Sequence, residues 1–90
     1  TNYRVFLSKS AISVLNSFEE KTKIRIKSVL KELERDPFQT SLDIKKIVSN
    51  KDPPLFRIRI GDYRATYSVI GEKIMISKIF HRKKGYKWLD

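Results

Sequence analysis

The stretch "LFRIRIGDYRATY", residues 55–67, decides the fold. Two alternating runs of β-branched and aromatic residues flank Gly61-Asp62, a spacing that predicts a two-residue β-hairpin. Glycine at the first central position suits a type II′ turn. The register then pairs Ile60 with Tyr63, Arg59 with Arg64, Ile58 with Ala65, Arg57 with Thr66 and Phe56 with Tyr67. Because side chains alternate along each strand, Phe56, Ile58, Ile60, Tyr63, Ala65 and Tyr67 form an apolar face. Arg57, Arg59, Arg64 and Thr66 share the other face, with no carboxylate among them. Opposed like charges destabilise an antiparallel pair by ~0.2–1 kcal/mol, and a surface built only for solubility mixes signs. Three clustered arginines instead suit a surface that receives a polyanion.

Outward from the hairpin, "YRVFL" (3–7) reads as a short strand, and Ser8 or Ser10 can cap the helix that follows. Ala11, Ile12, Leu15 and Phe18 recur at helical spacing, as do Ile26, Val29, Leu30 and Leu33 after "EEKT". Asp36-Pro37 ends the second helix, since proline disfavours helical geometry in the residue before it. The short link implies an antiparallel helical hairpin. Residues 38–54 read as a connector, with room for a helical turn in "LDIKKIV" and a stop at "KDPP". A second turn at Gly71-Glu72 leads into "KIMISKIF" (73–80), the third strand of a meander. The expected order is β-α-α-β-β-β: an α+β domain spanning residues 1–90, its helical hairpin packed on one face of a mainly antiparallel four-stranded sheet. Tyr63, Tyr67, Phe56 and Phe80 are expected in the core. Carried through the second turn, the register sets Ser77 opposite Thr66 and Ile79 opposite Arg64, and puts His81 on the basic face. Arg82, Lys83, Lys84 and Tyr86 follow where that strand stops.

The chain has 90 residues, enough for one modest core. Lys and Arg number 20 against 10 Asp and Glu, a formal net charge of +10, which favours nucleic acid, an anionic membrane or an acidic protein as partner. Residues 55–90 hold nine of the cations against three acids, so the C-terminal portion is the expected binding face. With no cysteine and one histidine, neither a disulfide framework nor a thiolate or histidine metal site can be built. The longest apolar runs fall far below the ~20 residues of a membrane span, and "TNYRVFLSK" has no signal-peptide core. A cytoplasmic protein with no membrane partner is expected.

The chemical inventory is also restrictive. Paired carboxylates, a nucleophile beside a histidine and a glycine-rich phosphate loop are all missing from the sequence pattern. What remains is a cluster of cations with a tyrosine and a histidine. That set fits RNA cleavage by the substrate's own 2′-hydroxyl, where the protein chiefly stabilises charge developing on the phosphate. Arginine forks suit this role, and it calls for no metal and no small-molecule cofactor.

The segments "LFRIRIGDYRATY" (55–67) and "IFHRKKGYK" (79–87), preceded by a strand and a helical hairpin, resemble the RelE-type toxins of bacterial and archaeal toxin–antitoxin pairs. The resemblance implies a microbial RNase-like fold, ribosome-dependent cleavage of messenger RNA in the A site, and inhibition by a RelB-like antitoxin that wraps the basic surface. By that likeness Arg64 and Arg82 bind the scissile phosphate and Tyr86 stacks on or orients the cleaved nucleotide. Arg57 and Arg59 bind the RNA backbone, with Lys83 and Lys84 beside them. Some relatives carry lysines at the paired strand positions, where one could serve as base. Arginine does not deprotonate in proteins, so His81, Lys83, Lys84 and Tyr86 are the candidates for proton transfer. Two other readings of the same residues are a gyrase-poisoning ParE-like toxin and a basic RNA- or ribosome-binding protein without catalysis.

Overall fold

A computed structural model describes residues 2–48 and 52–84. Strand β1 (Arg4–Leu7) leads into α1 (Lys9–Ser17) and α2 (Glu20–Leu33). Four strands follow: β2 (Ile44–Val48), β3 (Leu55–Ile60), β4 (Tyr63–Ile70) and β5 (Lys73–His81), with a 3-10 turn at Arg82–Lys84. The sheet order is β1-β5-β4-β3-β2, with β1 parallel to β5 and every other pair antiparallel. The α+β class and the order of the six expected elements are as the sequence implied. The sheet gains one more strand than the four expected, because "LDIKKIV" is not a helical turn: residues 44–48 extend along β3 as an edge strand.

Local chemistry explains the elements that were anticipated. Ser8 is the cap of α1, its hydroxyl accepting from the Ala11 N–H at 3.0 Å while donating to the Ser77 carbonyl at 2.8 Å. The β3–β4 register matches the expected one at all five pairs, Phe56–Tyr67 through Ile60–Tyr63. Gly61 has φ +59° and Asp62 does not have positive φ, as a type II′ turn demands. Gly71, at φ +62°, repeats the device between β4 and β5.

Both helices and one sheet face share a core that includes Leu15, Ile26, Leu30, Ile58, Ala65, Tyr67, Ile74, Ile76 and Ile79. Tyr67 is fully buried, its hydroxyl donating to the Pro37 carbonyl at 2.7 Å. Burial, with a smaller contribution from the Asp36 charge, raises its pKa well above the usual tyrosine value. Among the described residues no helix is long and apolar enough to cross a membrane.

The β4–β5 pairing departs from the expected register. It begins as predicted, Ile70 with Lys73 and Ser68 with Met75, then shifts between Thr66 and Tyr67 so that Thr66 faces Lys78 and Arg64 faces Phe80. Ser77 is the extra residue of a β-bulge. The physical cause is visible in the isoleucines, which fall at 74, 76 and 79. All three are buried in the same core, and a step of three can reach one face only if a residue is bulged out between them.

Candidate functional site: a cationic sheet face

The sheet face turned away from the helices gathers the cations. Arg57, Arg59 and Arg64 occupy it as the hairpin register requires, and the neighbouring strands add Lys45 opposite Arg57 and Lys78 opposite Thr66. The Arg59 N–H donates to the Asp43 carbonyl at 3.0 Å, so it points toward β2. Arg59 and Arg64 therefore form a non-hydrogen-bonded pair, whose Cα atoms approach to about 4.5 Å and whose side chains lie closest together. Phe80 completes the row on β5.

This face is not the carboxylate-free surface read from the hairpin alone. Asp43, at the entry to β2, joins it: Arg57 Nη1 donates to its Oδ1 at 3.1 Å and to its carbonyl at 3.3 Å, while Arg59 Nη1 lies 3.7 Å from Oδ2. Arg57 is buried. Its guanidinium braces β3 against β2 and is not presented to a ligand from solvent. Arg59 is half exposed and keeps most of its fork available. The three arginines thus divide into one structural residue and two neighbours, Arg59 half exposed and Arg64 partly buried.

Arg82 follows β5 beside the β3–β4 turn, its N–H donating to the Asp62 carbonyl at 2.9 Å and its Nε lying 3.7 Å from the Asp62 carboxylate. Both ends of that ion pair are more than half exposed, so it holds the side chain loosely. Lys83 and Lys84 follow, exposed, in the 3-10 turn. Tyr86 lies outside the described residues.

His81 belongs elsewhere. The bulge pairs it with Tyr63, which moves it to the helix-side face, where its ring meets Tyr63 edge-on at 5.3 Å and Tyr63 in turn meets Phe18 at 4.5 Å. His81 Nδ1 accepts from the Lys83 backbone N–H at 3.2 Å, capping the 3-10 turn. That corrects the expectation of a histidine among the arginines. The same shift exchanges Ile79 for Phe80: Ile79 enters the helix-side core, whereas Phe80 is buried on the arginine side, not in the core assigned to it.

Lys45, Lys78, Phe80 and Asp43 are the members of this face that the sequence reading missed. For Lys78 and Phe80 a signal existed, the three-residue step between Ile76 and Ile79. For Asp43 and Lys45 it was weaker, the β-branched residues of "DIKKIV". A hollow of about 490 Å³ bordered by Phe38, Leu42, Lys46 and Phe56 opens mainly on the helix side of the edge strand and touches the cationic face through Asp43.

Comparison with known proteins bears on the family and the fold. Residues 5–86 match the family model described as ParE toxin of type II toxin-antitoxin system, parDE. The chain is 30% identical over 87 residues to Toxin RelE3 of Methanocaldococcus jannaschii, covering 94% of this chain and 97% of that one. Among solved structures, the archaeal RelE–RelB complex from Pyrococcus horikoshii superposes with a TM-score of 0.81 at 31% identity, covering 94% of this chain and 100% of the other. The RelB–RelE antitoxin–toxin complex from Methanococcus jannaschii gives 0.73 at 28% identity, covering 94% and 99%.

Proposed function

The chain belongs to the ParE toxin family of type II toxin–antitoxin systems, within the RelE/ParE superfamily, and from that premise we propose that it is a ribosome-dependent endoribonuclease of the RelE kind. In this reading residues 1–90 act as one toxin domain in the cytoplasm, cutting messenger RNA in the ribosomal A site until a RelB-like antitoxin covers the basic face. The observation that supports it is the adjacent Arg59–Arg64 pair, Arg59 half exposed and Arg64 partly buried, with Arg82 at the strand end beside it.

The substrate supplies the nucleophile. Its 2′-hydroxyl oxygen attacks the adjacent phosphorus, the 5′-oxygen of the next nucleotide leaves, and the non-bridging oxygens gain charge on the way. Arg64 and Arg82 are assigned to that charge, where each planar fork can donate twice to phosphate. Loss of one such donor typically costs roughly 10²–10³ in rate. Arg59, Lys83 and Lys84 hold the flanking backbone. Arg57 is reassigned from RNA contact to bracing the strand that carries Arg59. Lys83, Lys84 and Tyr86 are the proton carriers to test, His81 having left the face. A site without a strong base depends on the ribosome for alignment, so cleavage of free RNA is expected to be poor.

The test is primer extension on translating ribosomes supplied with purified protein. Messenger cuts within the A-site codon are expected from the native chain and loss of them from Arg64→Ala and Arg82→Ala. Arg64→Lys separates a phosphate clamp from a plain basic RNA binder, because only the clamp depends on the fork. The family model's description also names ParE, so DNA gyrase supercoiling is assayed in parallel. Gyrase inhibition without messenger cleavage would replace this reading with the gyrase-poisoning one.

A further inference from the structure

His81 has left the arginine side of the sheet, yet it stands next in sequence to Arg82, the cation assigned to the scissile phosphate. β5 ends at the Tyr63–His81 pair. One further rung, from the Arg82 N–H to the Asp62 carbonyl at 2.9 Å, ties the departing chain to the β3–β4 turn. Arg82, Lys83 and Lys84 then close the 3-10 turn. Little in that turn favours its own shape. Its three successive cations repel one another, all three are exposed, and the first N–H groups of such a turn have no acceptor inside it. The Arg82–Asp62 ion pair, 3.7 Å long and exposed at both ends, restrains the guanidinium weakly.

His81 supplies the acceptor from outside the turn. Its Nδ1 takes the Lys83 N–H at 3.2 Å, the bond to a backbone two residues on that Asn and Asp make in an Asx turn. A ring that accepts at Nδ1 is the neutral imidazole with its proton on Nε2. Packing aims the ring: Tyr63 meets it edge-on, centroids 5.3 Å apart and planes at 86°. Phe18, the residue after α1, meets Tyr63 in turn at 4.5 Å.

We infer that His81 is the positioning residue for Arg82. Its ring, seated on Tyr63, pins the 3-10 turn through the Lys83 N–H and so sets where the Arg82 guanidinium meets the phosphate. The inference rests on the nuclease reading above and deepens it, giving His81 an indirect role in place of proton transfer. A base would need a ring nitrogen turned to the substrate, whereas Nδ1 is engaged on the backbone and the ring lies on the helix side of the sheet.

Two substitutions separate the acceptor from the packing. His81→Phe keeps a ring on Tyr63 and removes the acceptor; His81→Asn removes the ring and puts Oδ1, borne on the same Cγ, where Nδ1 was. In the ribosome assay kcat is expected to fall about fivefold in His81→Phe, the scale of one net hydrogen bond, with KM unchanged, as for a contact made in the transition state. His81→Asn is expected to cut at the native rate although it melts lower than His81→Phe. A residue needed only for folding would give the reverse order. In an Arg82→Ala background His81→Phe is expected to add nothing, because it acts through the missing guanidinium. Should His81→Phe not fold, His81→Leu, also without an acceptor, makes the same comparison. Native kcat in His81→Phe, no recovery in His81→Asn, or an undiminished loss in the Arg82→Ala background would each overturn the inference. So would a proton–nitrogen NMR correlation spectrum placing the imidazole proton of the native chain on Nδ1. If the native chain leaves messenger intact, the nuclease reading fails and hydrogen exchange decides alone. Faster exchange of the Lys83 N–H and the Arg82 Nε–H in His81→Phe than in the native chain or His81→Asn sustains the inference, and equal exchange overturns it.

Discussion

Replacing Asp43 by Asn tests the division of labour on the cationic face. Its carboxylate holds Arg57, whose side chain is 9% exposed, at 3.1 Å, and approaches Arg59 at 3.7 Å, while Asp43 itself is 53% exposed. Truncating one partner of a fully buried ion pair costs roughly 3–5 kcal/mol, whereas an exposed pair contributes roughly 0–1 kcal/mol. With one end buried and the other half in water, about 2 kcal/mol is expected, most of it from a buried guanidinium left with a neutral amide oxygen and the Asp43 carbonyl in place of its counter-charge. For a domain of this size that lowers the melting temperature by on the order of 10 °C. Arg57→Met removes the buried charge and fills similar volume, so it should cost less than Asp43→Asn, and the double variant should recover most of the loss. Urea unfolding of the four proteins supplies the cycle. Asp43→Asn within about 0.5 kcal/mol of native, an ordinary surface effect, would show that Arg57 does not depend on this carboxylate. Antitoxin and ribosome assays on Arg57→Met add the functional half: retained cleavage is expected, and its loss would return Arg57 to the RNA contacts.

Further outcomes follow from other parts of the fold. Gly61→Ala should destabilise more than Gly71→Ala: both have positive φ, but a Cβ at Gly61 meets the Arg25 guanidinium at 3.1 Å while one at Gly71 meets nothing within 4 Å. Parallel melts decide the order, with about 1 kcal/mol expected for the strain common to both. Raising the pH should weaken the fold through Tyr67. Its native pKa lies above its unfolded value near 10, so the phenol's contribution is complete below that pH and declines above it as only the unfolded chain ionises. Tyr67→Phe should lose about 1 kcal/mol near neutral pH, with the Pro37 carbonyl unpaired, and show a shallower alkaline decline than native; equal slopes would refute the assignment. Glu34→Ala should expose part of the outer edge of β1, because the Glu34 carboxylate accepts from the Val5 N–H at 2.9 Å. Concentration-dependent association by sedimentation is the expected readout.

Much of the architecture can be read from short stretches because it is governed by short-range physics. The Arg59–Arg64 pairing follows from a two-residue turn and strict alternation, and nothing further along the chain can alter it without breaking the turn. Ser8 caps α1 for an equally local reason, a side-chain oxygen within reach of an N–H three residues on. What tertiary structure alone decided is which residues share a face with those arginines. His81 and Phe80 exchanged sides because the demand of Ile74, Ile76 and Ile79 for a common core forces a bulge at Ser77, and a core is a long-range object. Asp43 neutralises part of the basic face only because β2 pairs with β3, setting its carboxylate against an arginine 14 positions away. Alternation along one strand determines two faces; it takes the partner strands to determine what each face contains.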